Sequence, residues 1–380
     1  MAYGVGRVSY RKQTLLEQYF VQWLNLQQEK ASIMGCLFHK GRRQDTKDSK
    51  VKEYSWDKRD KVNLKDFTVE NLDNEEIWKL PGTINGQQFV IQKCKTSTVY
   101  LLDHINTITI DDCVNCKFVI GAVKGSIFLR NCKDCSCVVA CGQFRSRDCR
   151  KIDVFLCCPT QPVIEASTSM HFGCYQLYYD DLEDQFHQAG LSAFNNEWSV
   201  IHDYTPVEGE NNWCLLPDTI TIHDYISIPK AEELKKLNLS LLEDKSVVPY
   251  TWGPHKTMDG ESCLVIFFTD GQQVQRAKAF INTLKRENAD CLLLLSKEVQ
   301  LSTAEAEKVF RSTSYNSIIQ RGPVVGLHYC GPECISSCQQ VAVNIAKDTG
   351  STGLVYVSTN PKFSLKQVES FFNFTIPCGV

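Results

Sequence analysis

The sequence predicts a two-domain protein, a parallel β-helix followed by a ferredoxin-like α/β domain, on three observations. Cys94, Cys113 and Cys132 recur at a spacing of 19, and Cys149 follows after 17. A β-rich run precedes each of them: Phe89-Val90-Ile91, Ile108-Thr109-Ile110, Ile127-Phe128-Leu129 and Phe144-Arg145-Ser146. One strong strand in every period of roughly 20 residues is the mark of a solenoid. Beyond residue 261 the pattern changes to short strands alternating with helices, as in a compact α/β domain.

At 380 residues with 43% hydrophobic content, the chain has material for two cores. A net charge of −3 supplies no basic field and argues against nucleic acid as a partner. Nineteen cysteines without a secretory signal point to buried, reduced thiols in a cytosolic setting rather than to a disulfide framework. Glu17, Gln18 and Gln22 interrupt the best apolar run, which falls short of the roughly 18 residues a spanning helix needs. Membrane attachment is therefore expected to be peripheral.

Residues 1–33 read as an N-terminal extension, with Thr14 and Glu17 as a capping box and Leu15, Leu16, Tyr19, Phe20, Trp23 and Leu24 at helical spacing. Residues 34–53 begin Met34-Gly35-Cys36 and carry Lys40, Arg42, Arg43, Lys47 and Lys50. Were Met34 the start, Gly35 would be open to myristoylation and Cys36 to palmitoylation, beside a basic cluster for anionic headgroups. In the chain as written Gly35 is internal, and the segment reads as a basic linker. Residues 54–246 form the β-helix domain, with Trp56, Trp78 and Pro81-Gly82 in an entry segment that caps the first coil.

Alternation along each strand assigns the two faces. The residues five and three places before each anchor, Phe89/Ile91, Ile108/Ile110, Ile127/Leu129 and Phe144/Ser146, point inward. Val90/Gln92, Thr109/Asp111, Phe128/Arg130 and Arg145/Arg147 point outward, and one further period puts Val163 and Glu165 in the same rows. After Cys174 the coils become irregular. Asp180 to Gln188 reads as a helix stopping at Gly190, Ile201–Tyr204 and Ile222–Tyr225 as strand edges of closing coils, and residues 230–245 as a helix. Residues 247–261 form a linker rich in Pro and Gly. Residues 262–380 then give strands at Cys263–Phe268, Cys291–Leu295, Val324–Tyr329 and Leu354–Val357, with helices at Val274–Arg286, Thr303–Phe310, Ile335–Lys347 and Leu365–Phe372.

Cys113-x-x-Cys116 and Cys132-x-x-Cys135 have a zinc-ribbon spacing. The equivalent positions one coil earlier and one coil later hold Ser97 and Ile152, which would not preserve ligands. A ladder of small side chains accounts for all four coils, and no metal is expected. The chain lacks G-x-x-x-x-G-K-[ST], its eight His form no H-x-x-x-H, and Gly121–Ser126 reads as a coil turn. Arg145 is the exception in a row that otherwise holds Val90, Thr109 and Phe128. It is either a solvated ladder residue paired with Glu165, worth about 0–1 kcal/mol, or a guanidinium presented to a partner's phosphate.

Asp112-Cys113-Val114-Asn115-Cys116, Gly125–Cys132 and above all Ala140-Cys141-Gly142-Gln143-Phe144-Arg145-Ser146-Arg147-Asp148-Cys149-Arg150 resemble the right-handed β-helix domain of tubulin cofactor C and the cyclase-associated proteins. Residues 262–380 are similar to nucleoside diphosphate kinases. The resemblance implies a GTPase-activating protein for an Arf-like small GTPase, Arf-like protein 3 in particular, tied to ciliary traffic of lipidated proteins. By resemblance, Arg145 is the arginine finger, Glu165 orients it, and Gln143, Arg147 and Tyr204 bind the GTPase. The chain would need no cofactor of its own, since GTP and Mg²⁺ sit on the partner. It departs from the family at Gly142, where a second Gln is usual. Its place by resemblance is the cytoplasmic face of the plasma membrane and the ciliary base, or the cytoplasm if the extension is retained. A tubulin-folding cofactor acting on tubulin GTP and a non-catalytic scaffold are the alternatives. Residues 354–360 hold no His, and His328 falls on the third strand of the second domain, so no phosphotransfer is expected there.

Overall fold

The structure, a computed structural model, describes residues 64–256 and 259–373. The extension, the Gly35-Cys36 segment and Trp56 lie outside the described residues.

Parallel strands stack coil upon coil from Thr68–Glu70 onward. One wall runs in unbroken register, Thr68 to Val90 to Thr109 to Phe128 to Arg145 to Val163 to His202. Its inward residues, among them Phe89, Ile91, Ile108, Ile110, Ile127, Leu129 and Phe144, are buried in one continuous core. A second wall continues each coil from Glu76–Lys79 to Trp213–Leu215. Among the described residues no helix is long and apolar enough to cross a membrane.

The corners between walls explain the periodic cysteines. A sharp turn needs a left-handed residue, which Asn and Asp tolerate better than most. Lys93, Asp112, Asn131, Asp148 and Ala166 supply it, with φ between 44° and 56°. The residue after each is Cys94, Cys113, Cys132, Cys149 or Ser167. The Cys94, Cys113, Cys116, Cys132, Cys135 and Cys149 thiols each donate to the carbonyl two residues earlier at 3.2–3.4 Å. Ser97 and Ser167 hydroxyls do the same at 2.7 and 2.8 Å. A zinc-like spacing thus arises from corner chemistry repeated at the coil period, with a Ser as able to fill the position as a Cys. The coil ending at Cys149 is two residues shorter than its predecessor, 17 against 19. The ladder shows where they are lost, in register shifts between Val119 and Ala122 and between Val123 and Ser126.

Three elements differ from the sequence expectation. Thr68–Glu70 and Glu76–Lys79 already form a full coil in register with the next, where an entry segment capping the first coil is expected. Its corner holds Leu72, 22 residues before Cys94, so the period is disguised. Residues Ile222–Asp224 form a 3₁₀ turn rather than a strand, because the Asp224 carboxylate accepts from the Thr221 amide and hydroxyl at 2.7 and 3.0 Å. The helix expected over 230–245 is one turn, Glu232–Lys235, after which Asn238 turns left-handed with φ 54°.

Residues 261–373 make a four-stranded antiparallel sheet. Its strands are Glu261–Phe267, Leu292–Val299, Val324–Gly331 and Val355–Val357, and in chain order they lie 2-3-1-4 across the sheet. Helices Gln273–Glu287 and Cys334–Thr349 make the two crossovers, which is the ferredoxin-like arrangement the sequence predicts. An extra segment with helices Thr303–Phe310 and Asn316–Ile319 joins the second and third strands.

Leu292–Val299 is an edge strand, and edges invite unwanted pairing unless covered. Here the solenoid covers it. Asn195 mimics a strand residue, accepting from the Glu298 amide at 2.8 Å and donating to the Glu298 carbonyl at 3.2 Å. Trp252 and Gly253 amides donate to Leu293 and Leu294 carbonyls, both at 3.0 Å. Phe194 inserts into the α/β core, 1% exposed, while Asn196 ties back to the Cys158 amide and Leu156 carbonyl of the solenoid. The Phe-Asn-Asn stretch therefore bolts two domains into one compact unit.

Truncating Phe194 to Ala should cost about 3–5 kcal/mol and uncouple the domains. Urea unfolding followed by fluorescence should split into two transitions, the α/β domain melting first; one unshifted transition would contradict the bolt.

Candidate functional site

Outward side chains of the long wall fall into two rows. In the second row, polar side chains find partners on the preceding coil or at the adjoining corner. Gln92 Nε2 donates to Glu70 at 2.7 Å, and Arg130 grips Asp111 through two bonds of 2.7 and 2.6 Å. Arg147 Nε lies 3.3 Å from the Asp148 carboxylate. Glu165 follows in register with Arg147, and Tyr204 comes next, its amide donating to the Ile164 carbonyl at 2.9 Å.

The first row is different. Arg145 stands between Phe128 and Val163 in register, and no carboxylate among the described residues pairs with it. Its Nη2 donates to Gln143 Oε1 at 3.4 Å, and the same oxygen accepts from Ser126 Oγ at 3.2 Å. The guanidinium is exposed, Phe128 is 37% exposed and Tyr204 68%. Tyr204 packs edge-to-face on His202 at 5.2 Å. An Arg flanked by exposed Phe128 and half-buried Val163, with exposed Tyr204 on the same wall, has the composition of a protein-binding hot spot. A partner that covers it would remove water and strengthen the field of the cation.

The structure thus gathers Gln143, Arg145, Arg147, Glu165 and Tyr204 on one wall. It gives Arg145 to Gln143 rather than to Glu165, whose backbone faces Arg147 one column away. Ser126 is the member that sequence reasoning passes over; its only signal is its place one coil before Gln143. Gly142 also gains a physical reason. A Cβ there would stand 2.6 Å from the Lys124 carbonyl oxygen and 3.0 Å from that of Gly125, because the coil has just lost a residue at that point.

In the α/β domain His328 lies on Val324–Gly331, with Nε2 2.7 Å from Ser262 Oγ and Nδ1 buried without a partner. Burial pulls its pKa from 6.5 down to about 4, so the ring is a neutral structural group at neutral pH. The segment after the fourth strand, Ser358-Thr359-Asn360, offers no His. Ser358 is itself buried, bonding Leu264 and Gln367.

Residues 86–204, which include Gln143, Arg145, Arg147, Glu165 and Tyr204, match the family described as Tubulin binding cofactor C. Protein XRP2 of Xenopus laevis is 46% identical over 352 residues, covering 90% of this chain and 98% of that protein. Human protein XRP2 is 43% identical over 349 residues, with the same coverage of 90% and 98%. Human tubulin-specific chaperone C is 26% identical over 151 residues, covering 39% of this chain and 44% of its own.

A His whose folded pKa is depressed gives stability that is complete above its unfolded value and lost as pH falls toward the folded one. Between pH 6.5 and 4, His328 should therefore withdraw about 3 kcal/mol from the folded state. Urea midpoints at pH 7 and pH 4.5 should converge in His328→Gln relative to the parent; an unchanged pH dependence would contradict the assignment.

Proposed function

Because this chain belongs to the XRP2 family and carries a tubulin binding cofactor C domain, we propose that it is a GTPase-activating protein for an Arf-like small GTPase. The observation that supports this reading most is the guanidinium of Arg145, which among the described residues meets no carboxylate and stands exposed on a stiff wall between Phe128 and Val163, with Tyr204 exposed further along it. The partner holds GTP and Mg²⁺. Water attacks the γ-phosphorus there, and negative charge grows on the γ-oxygens and on the leaving β–γ oxygen. Arg145 enters that pocket and neutralises the charge, while Gln143, Arg147 and Tyr204 bind the surface around it. Glu165, exposed and one column away, takes over the guanidinium's orientation once docking draws it from Gln143. The α/β domain acts as a rigid extension of the binding platform and transfers no phosphate.

Chains starting at Met34 would carry acyl groups on Gly35 and Cys36 and hold the activator at the cytoplasmic face of the plasma membrane and the ciliary base. Chains retaining the extension would stay cytoplasmic. A second reading, the same finger aimed at tubulin GTP, draws on the cofactor C match across residues 86–204.

Single-turnover hydrolysis by an Arf-like GTPase should rise roughly 10³- to 10⁵-fold with the protein present and return nearly to the intrinsic rate with Arg145→Ala. A variant within a few-fold of the parent sinks the finger; stimulation of tubulin alone favours the second reading.

A further inference from the structure

We infer that Ser126 is a positioning residue that sets the pose of Arg145 through the amide of Gln143, an inference that rests on the finger reading above. Gln143 Oε1 receives two hydrogen bonds, one from Ser126 on the preceding coil at 3.2 Å and one from Arg145 on its own strand at 3.4 Å. Guanidinium has only donors, so the amide cannot turn its NH₂ toward Arg145 without setting donor against donor. Oε1 must face the Arg, and Nε2 is left facing outward. Ser126 is the group that can hold it so. Its hydroxyl donates to the same oxygen, and the backbones of Ser126 and Gln143 are in register.

The base under this relay is rigid. Gly142, immediately before Gln143, lies against the Lys124 and Gly125 carbonyls, an approach that only a residue without Cβ permits. The Gly142 carbonyl accepts from Thr160 Oγ1 at 3.0 Å. The coil therefore fixes the Gln143 backbone, Ser126 fixes its amide, and the amide confines a long cationic side chain before any partner arrives. Confinement before docking lowers the ordering cost of the bound state and shows chiefly in the rate of the bound complex.

The test is a double-mutant cycle in single-turnover GTP hydrolysis by an Arf-like GTPase, with activator concentration varied to separate maximal rate from half-saturation. Ser126→Ala should lower the maximal rate about three- to tenfold with half-saturation nearly unchanged. Ser126→Thr, which keeps the hydroxyl, should restore most of it. In a Gln143→Ala background Ser126→Ala should have no further effect, since the route to Arg145 is already cut. A Ser126→Ala rate equal to the parent's, while Arg145→Ala is inactive, overturns the relay and leaves the finger standing. Additive losses in the cycle, or a shift in half-saturation alone, overturn it too. If Arg145→Ala itself retains the parent's rate, the reading beneath it has failed.

Discussion

Each outward side chain of the solenoid takes its neighbours from the backbone ladder between coils, and that ladder holds only while every corner turns at the same place. Two features keep it there: a left-handed residue at each corner, and at most corners a thiol or hydroxyl after it that satisfies the carbonyl two residues back, as at Cys113, Cys132 and Ser167. With the register fixed, opposite charges meet on successive coils and cancel, as Arg130 and Asp111 do. Among the described residues, the row that carries Arg145 places Phe128 and Val163 beside it and no acid. Surface ion pairs are worth little by themselves. On this wall they set Arg130 and Arg147, each beside a carboxylate, apart from Arg145, whose hydrogen-bond partner is the neutral Gln143.

Much of this geometry was legible in the chain. A period of 19, an alternation of two and a single misplaced Arg were enough to place Arg145 in its row and Glu165 beside Arg147. The α/β domain was legible because its helices and strands differ in period. What escaped reading has local causes. The first coil is 22 residues long and holds Leu72 where later coils hold Cys. One capping carboxylate, Asp224, was enough to convert an apparent strand into a 3₁₀ turn. The Gln143–Ser126 contact depends on two register shifts that shorten one coil, and no spacing rule within a strand reveals which side chains such a shift brings together.

Fusion of the two domains bears on what the second one does. Its edge strand is occupied by Asn195, Trp252 and Gly253, and its core is closed by a Phe from the solenoid. A sheet capped in this way is held as part of a larger body. His328, buried and neutral against Ser262, suits that structural part. On the proposed reading, rigidity serves the wall, because a cation confined before docking loses less freedom when it is bound.

If Arg145 acts on charge that exists only during phosphoryl transfer, it should bind the transition state better than the ground state. The direct measurement is affinity for an Arf-like GTPase loaded with GDP and aluminium fluoride, compared with the same GTPase loaded with a non-hydrolysable GTP analogue. The parent protein should favour the transition-state mimic, and Arg145→Ala should lose that preference while still binding the analogue. Equal preference in both proteins would contradict the account.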